Sequence, residues 1–257
     1  CELKTLFSKV NLGCKKAVSE GINWFFQNVE KGIIIEDDCI PDLTFFNYCS
    51  DLLEYYRDDS RIMHISGLNF LSGPVELPVS LESYHFSKYA AIWGWATWRR
   101  AWNLYDVDII NWPKAKNKGL HLNFSFNKYE IRYWENKFDK VYTKQIDTWD
   151  YQWSYCIFMN NGLCITPNTN LITNIGFNSN ATHTFIEDNR SYLHKGSVTF
   201  PLTHPLHIVS DYNSDLKEFD CHIRIPAYKT LIKSFLVFLG LKPLFVSFYK
   251  KILNYMR

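Results

Sequence analysis

The chain carries no excess of charge of either sign. Its formal net charge is +2, so no overall basic field demands a polyanionic partner, and no nucleic acid partner is expected. Paired cysteine spacing is also missing. The seven cysteines, Cys1, Cys14, Cys39, Cys49, Cys156, Cys164 and Cys221, have neither the spacing of a zinc site nor the density of a disulfide scaffold, which points to a reducing compartment. No secretory leader is visible, and the opening residues read as the interior of a larger protein whose first strands lie upstream. Asp and Glu are absent from 221–257, where seven Lys or Arg are interleaved with Leu, Phe, Val and Ile. No apolar run there reaches the length of a membrane span. The segment suits a helix lying on an anionic membrane surface, or one docked on the protein with a solvated basic face.

What is present is hydrophobic and aromatic. The 257 residues are 47% hydrophobic and 17% aromatic, with 9 Trp and 16 Tyr. That is enough apolar surface for one large domain or a domain with an annex, divided here as 1–220 and 221–257. Rings in this number suit stacking on sugars or bases as well as a bulky core.

One run stands out. Gly32-Ile33-Ile34-Ile35-Glu36-Asp37-Asp38-Cys39-Ile40-Pro41 reads as a strand covered on both faces that delivers three carboxylates into a loop. Such a cluster repels itself unless a cation sits on it, and a hard divalent ion, with a diphosphate bound through it, is the natural occupant. The plainer alternative is a solvated acidic turn before a helix capped by Asp42.

Helical spacing is expected from Cys14 to Val29 and from Asp42 to Arg57, with strands at Gly32–Glu36 and Arg61–Ser66. This alternation argues for a Rossmann-like α/β sheet. Gly67–Ser87 reads as a long loop, Tyr89–Trp93 as a strand and Gly94–Trp102 as an aromatic helix. Asn127–Lys144 reads as a charged surface helix and Trp149–Met159 as a more buried one. Leu163–Thr166 and Leu171–Asn174 read as short strands, before a polar loop from Gly176 to His183.

Taken in order, Asn11-Leu12-Gly13-Cys14-Lys15, Glu36-Asp37-Asp38, Ser66-Gly67-Leu68-Asn69, Trp93-Gly94-Trp95, Trp149-Asp150-Tyr151-Gln152-Trp153 and the Gly176–His183 loop resemble nucleotide-sugar glycosyltransferases of the GT-A fold. The likeness is to bacterial sugar transferases, family 2-like, related to N-acetylglucosaminyltransferase I, and covers Asn11 to Thr184. The resemblance implies a DxD-type motif in which Asp38 binds Mn²⁺ or Mg²⁺, with Glu36 and Asp37 orienting the donor. It implies Asp150 as the base that takes the acceptor's proton in an inverting displacement. Asp147 is the runner-up, because Tyr151 and Gln152 stand where the family can bracket two acids.

By the same resemblance His183 is a second metal ligand, Asn11 and Lys15 lie by the nucleotide, and Trp93, Gly94 and Trp95 lie by a glycan or glycolipid acceptor. The implied setting is bacterial polysaccharide biosynthesis in the cytoplasm, peripheral on the inner face of the membrane. Two other classes compete. A metal-dependent phosphohydrolase or nuclease would need further acids on other strands, and a sugar-binding protein on the same fold would need none.

Overall fold

The computed structural model describes residues 2–72, 81–176, 193 and 195–224. The chain divides into two compact units, Cys1–Phe219 and Asp220–Arg257. In the second, the described residues 220–224 include an ion pair from Arg224 to Asp220 at 3.0 Å; the basic tail otherwise lies outside the described residues. Among the described residues no helix is long and apolar enough to cross a membrane.

The first unit is mixed α/β. Its elements run α1 (Gly13–Asn28), β1 (Lys31–Ile34), β2 (Cys39–Pro41), α2 (Thr44–Tyr55), β3 (Ile62–Ser66), β4 (Tyr84–Ser87), β5 (Trp95–Trp98) and α3 (Arg99–Trp102). They continue with α4 (Trp112–Asn117), a 3-10 turn (Leu120–Phe124), α5 (Lys128–Tyr142), α6 (Asp150–Met159), β6 (Leu163–Pro167), β7 (Ile172–Asn174) and α7 (Tyr212–Glu218). Five strands form one sheet in the order β1-β5-β3-β6-β4, and β2 pairs with β7 in a separate ribbon.

Successive strand residues point to opposite faces, and two cores result. Phe45, Tyr48, Cys49, Leu52 and Leu53 of α2 pack on Ile65, Phe86, Ala96, Trp98 and Ile165 on one face. On the other, Ile22 and Phe26 of α1, Trp102 of α3, and Trp153 and Ile157 of α6 enclose Met63, Trp95 and Cys164. The register of β3 against β6 shifts between Ile62 and His64. Through that irregularity Met63 and His64 both reach the α6 side, where His64 stacks on Trp95 with ring centroids 5.0 Å apart.

The helices expected at Cys14–Val29, Asp42–Arg57, Asn127–Lys144 and Trp149–Met159 form close to those limits. In α5, Asn127 caps the start by accepting from the backbone N–H of Tyr129 at 3.0 Å. Glu130, Trp134, Phe138 and Val141 of that helix are buried, so only its outer face is a charged surface.

Other expectations are corrected. Tyr89–Trp93 is irregular, and the strands are Tyr84–Ser87 and Trp95–Trp98. The long loop after Gly67 therefore ends before Ser87. The expected helix Gly94–Trp102 keeps only its last turn, because Trp95–Trp98 is a wholly buried central strand between β1 and β3. A run buried on both faces shows no alternation that would separate strand from helix. β1 is half-buried rather than covered on both faces; among the described residues it pairs only with β5. Nor is the sheet mainly parallel: β3 and β6 are its one parallel neighbour pair among the described residues.

These pairings make β1, β3 and β6 run in one direction and β4 and β5 in the other. The loops leaving β1, β3 and β6, and those entering β4 and β5, therefore open at one end of the sheet.

Candidate functional site

One residue, Ile35, separates β1 from the acidic run. Glu36 accepts from the Cys39 N–H at 3.1 Å, closing a tight turn, and the Asp38 carbonyl accepts from the Ile175 N–H at 2.8 Å. The β2–β7 ribbon, pairing Cys39 with Asn174, holds this turn against the chain after β7. Asp38 is half-buried there, beside Gly176. A Cβ built on Gly176 would lie 2.3 Å from Asp38 Oδ2, so a glycine is what leaves room for the carboxylate.

Two further segments meet the turn. At the start of α1 the side-chain oxygen of Asn11 accepts from the Gly13 N–H at 2.9 Å, and Gly13 takes the left-handed φ of 74°. A Cβ on Gly13 would sit 2.8 Å from Asp147 Oδ2, which puts Asp147 directly over that end of α1. Asp150 is the first residue of α6, where the helix dipole favours a carboxylate. The Thr148 hydroxyl donates to Asp150 Oδ1, and the Gln152 amide donates to the Thr148 carbonyl, tightening the helix entry. Beneath it Trp149 and Trp153 are buried, and Tyr105 donates its hydroxyl to the Trp149 carbonyl at 3.1 Å.

The electrostatics record how close these segments lie. Burial, and then the charges of Asp38, Asp150 and Asp37, push the Glu36 carboxyl up to about 7. Burial, and then the charges of Asp150, Glu36 and Asp147, raise the half-buried Cys14 thiol. Cys39 is pushed up to about 12 by burial and by Asp38. Protonated thiols are poor nucleophiles, so neither cysteine is poised to react.

The structure thus gathers Glu36, Asp38, Asp147, Asp150 and Cys14 into one acidic cluster. Asn11 borders it through Gly13, and Asp37 is exposed at its rim. Burial is the larger cause of the rise at Glu36 and the neighbouring carboxylates the smaller. Among the described residues no group of three or more His, Cys, Asp or Glu side chains is arranged to hold a metal ion. His183 and the loop around it lie outside the described residues.

Other candidates sit apart or are committed. Lys15 is paired with Asp108 at 2.7 Å. Trp93, half-buried, packs edge-on against Phe70 with centroids 5.8 Å apart, and the Gly94 carbonyl accepts from the Gly67 N–H at 2.8 Å, which ties the entry of β5 to the exit of β3. Trp95 does not line a wall. Its ring is fully buried among His64, Trp102, Trp149 and Trp153 and offers no face to an acceptor.

Cys14 and Thr148 are the residues that sequence reasoning passed over. Cys14 lies within the motif around Asn11 yet has no reactive spacing, and Thr148, one residue before the N-cap Trp149, lacks the spacing of a capping box, so only its hydroxyl on Asp150 Oδ1 marks it. The chain matches no known protein family, and no curated protein resembles it significantly in sequence.

Proposed function

We propose that this chain is a metal-dependent inverting glycosyltransferase of the GT-A type, which moves a sugar from a nucleoside diphosphate donor to a hydroxyl of a glycan or glycolipid acceptor. The observation that carries the reading is the meeting of two acids with different surroundings. Asp38 lies on the turn after β1 against Gly176, and Asp150 opens α6 with its Oδ1 on the Thr148 hydroxyl; after burial, the charges of both raise the Glu36 carboxyl between them.

Asp38 would hold the Mn²⁺ or Mg²⁺ ion, with His183 as a second ligand. Such an ion neutralises the charge that develops on the diphosphate as the glycosidic bond breaks. Asp150 accepts the proton of the acceptor hydroxyl. Its Oδ1 is held by the Thr148 hydroxyl, which leaves Oδ2 for the acceptor, and a base in this role needs placement before an unusual basicity. Glu36 and Asp37 orient hydroxyls of the donor, and the half-buried Trp93, beside the entry of β5, offers its open side to the acceptor. The basic tail would keep the enzyme at the inner face of the membrane, near a lipid-linked acceptor.

A screen of nucleotide sugars for donor hydrolysis, with Mn²⁺ present and with Mn²⁺ removed by chelation, tests this reading. Release of nucleoside diphosphate from at least one donor, lost on chelation, is expected. Hydrolysis of simple phosphodiesters by the same preparation, with no sugar released from any donor, would favour a phosphohydrolase.

A further inference from the structure

A cavity of about 840 Å³ lies beside β4, away from the acidic cluster, lined by His85 of β4, Asn168 and Thr169 after β6, and the segment from Pro205 to Ser214. That segment is anchored along the strand: the Asp211 N–H donates to the Phe86 carbonyl at 2.7 Å, and Ser210 bridges Phe86.

The tautomer of His85 is set by its neighbours. Its Nδ1 lies 2.7 Å from Oδ1 of Asn168. The amide of Asn168 is oriented independently, because its nitrogen donates to the Glu82 carbonyl at 2.8 Å. An amide oxygen only accepts, so His85 Nδ1 carries the hydrogen. Burial lowers the pKa of the ring and keeps it neutral. Nε2 is therefore a lone-pair acceptor at the cavity wall, without a protein partner among the described residues.

The rest of the lining restricts what Nε2 can meet. Its charged side chains, Glu82 and Asp211, are both acidic, and neither Lys nor Arg borders the cavity among the described residues. Asp211 is already satisfied by the backbone N–H groups of Asn213 and Ser214 and by the Ser214 hydroxyl. A phosphate, sulfate or carboxylate would meet these carboxylates with only the imidazole of His207 to set against them and no Lys or Arg among the described residues. The neutral hydroxyls of Thr169 and Ser210, beside apolar Leu81 and Val209, suit a ring with a hydroxyl edge and a C–H face.

We propose that this cavity binds a neutral saccharide, one of whose hydroxyls donates to Nε2 of His85. Its role as a subsite for the distal part of an acceptor glycan rests on the glycosyltransferase reading; saccharide binding itself does not. The chain connects the two places. Asn168 and Gly176 are eight residues apart, a reach of at most about 28 Å, and the Leu171 N–H on the Gly67 carbonyl and the Ile175 N–H on the Asp38 carbonyl anchor the path between them. A chain of several sugars covers such a span.

The test applies the full chain to an array of neutral and anionic oligosaccharides, then measures solution binding of the strongest neutral one. His85→Phe removes the acceptor, and Val209→Trp obstructs the mouth from an exposed position that leaves folding unaffected. Expected are neutral glycans bound in preference to anionic ones, with affinity lowered about tenfold or more in each variant, as for one lost hydrogen bond or a blocked cavity. Donor hydrolysis should not change. No neutral glycan bound by the wild type, or wild-type affinity in Val209→Trp, overturns the proposal. Saccharide binding that the variants lose, in a protein that hydrolyses no donor, leaves the site standing and removes the glycosyltransferase reading.

Discussion

Trp153 of α6 donates its indole N–H to Nδ1 of His64 on β3, at 3.2 Å, deep in the core. His64 Nε2 lies 3.1 Å from the Ala91 carbonyl and must donate to it, so the ring is neutral and its tautomer fixed. Burial pushes its pKa down to about 3. The bond keys the helix that carries Asp150 to the central sheet. His64→Ala would leave the Trp153 N–H unpaired over a cavity, and should lower stability by about 3 kcal/mol in urea unfolding.

Gly13 meets Asp147 with no room for a side chain, at a positive φ. Gly13→Ala must strain the backbone and displace Asp147. A loss of about 1–2 kcal/mol is expected by thermal or urea unfolding, whereas Gly21→Ala, where an added Cβ meets nothing within 4 Å, should be neutral or stabilising.

A buried polar knot fastens α7 to the exit of β4. Ser87 donates to Asp215 Oδ1 at 2.6 Å, and Lys88 pairs with Glu130 at 2.8 Å. Burial pushes Asp215 up to about 6, and burial followed by the charge of Asp215 pushes Glu218 up to about 8. With folded-state values above those of the unfolded chain, ionising the pair costs the fold stability as pH rises from about 4.5 to about 8. Glu218→Gln removes part of that cost. Its melting temperature relative to wild type should climb across this window, by no more than about 1.4 kcal/mol per pH unit in free energy. A difference independent of pH would contradict the assignment.

The glycine beside Asp38 offers a separate handle on the acidic turn. Gly176→Ala places a methyl 2.3 Å from Asp38 Oδ2 and must push the carboxylate aside. Mn²⁺-dependent donor hydrolysis should fall by about tenfold or more with little change in melting temperature, since misplacing a positioned group by an ångström is that costly.

How much of this was legible in the sequence depends on the kind of signal. α1, α2 and α5 show a regular apolar stripe over several turns, and β3, β6 and β7 are short apolar runs between turn residues, so local pattern identifies them. β5 is the counterexample. Trp95-Ala96-Thr97-Trp98 is buried on every side, and only its pairing with β1 and β3 decides that it is a strand. The same holds for the site. The triplet Glu36-Asp37-Asp38 announces itself as a charge cluster, but that Asp147 and Asp150 join it follows from the order β1-β5-β3-β6-β4 and from α6 packing over Trp95, which no local spacing records. Lys15 could be read only as a free cation until its partner Asp108, far along the chain, was known.

On the proposed reading Asp38 and Asp150 do different work in one transfer. The most direct measurement compares Asp38→Ala and Asp150→Asn with wild type for Mn²⁺-dependent release of nucleoside diphosphate and for sugar transfer to a glycan acceptor. Asp38→Ala should abolish both, and Asp150→Asn should depress transfer by about 100-fold or more while nucleotide binding survives. Transfer at the wild-type rate in both variants would contradict the account.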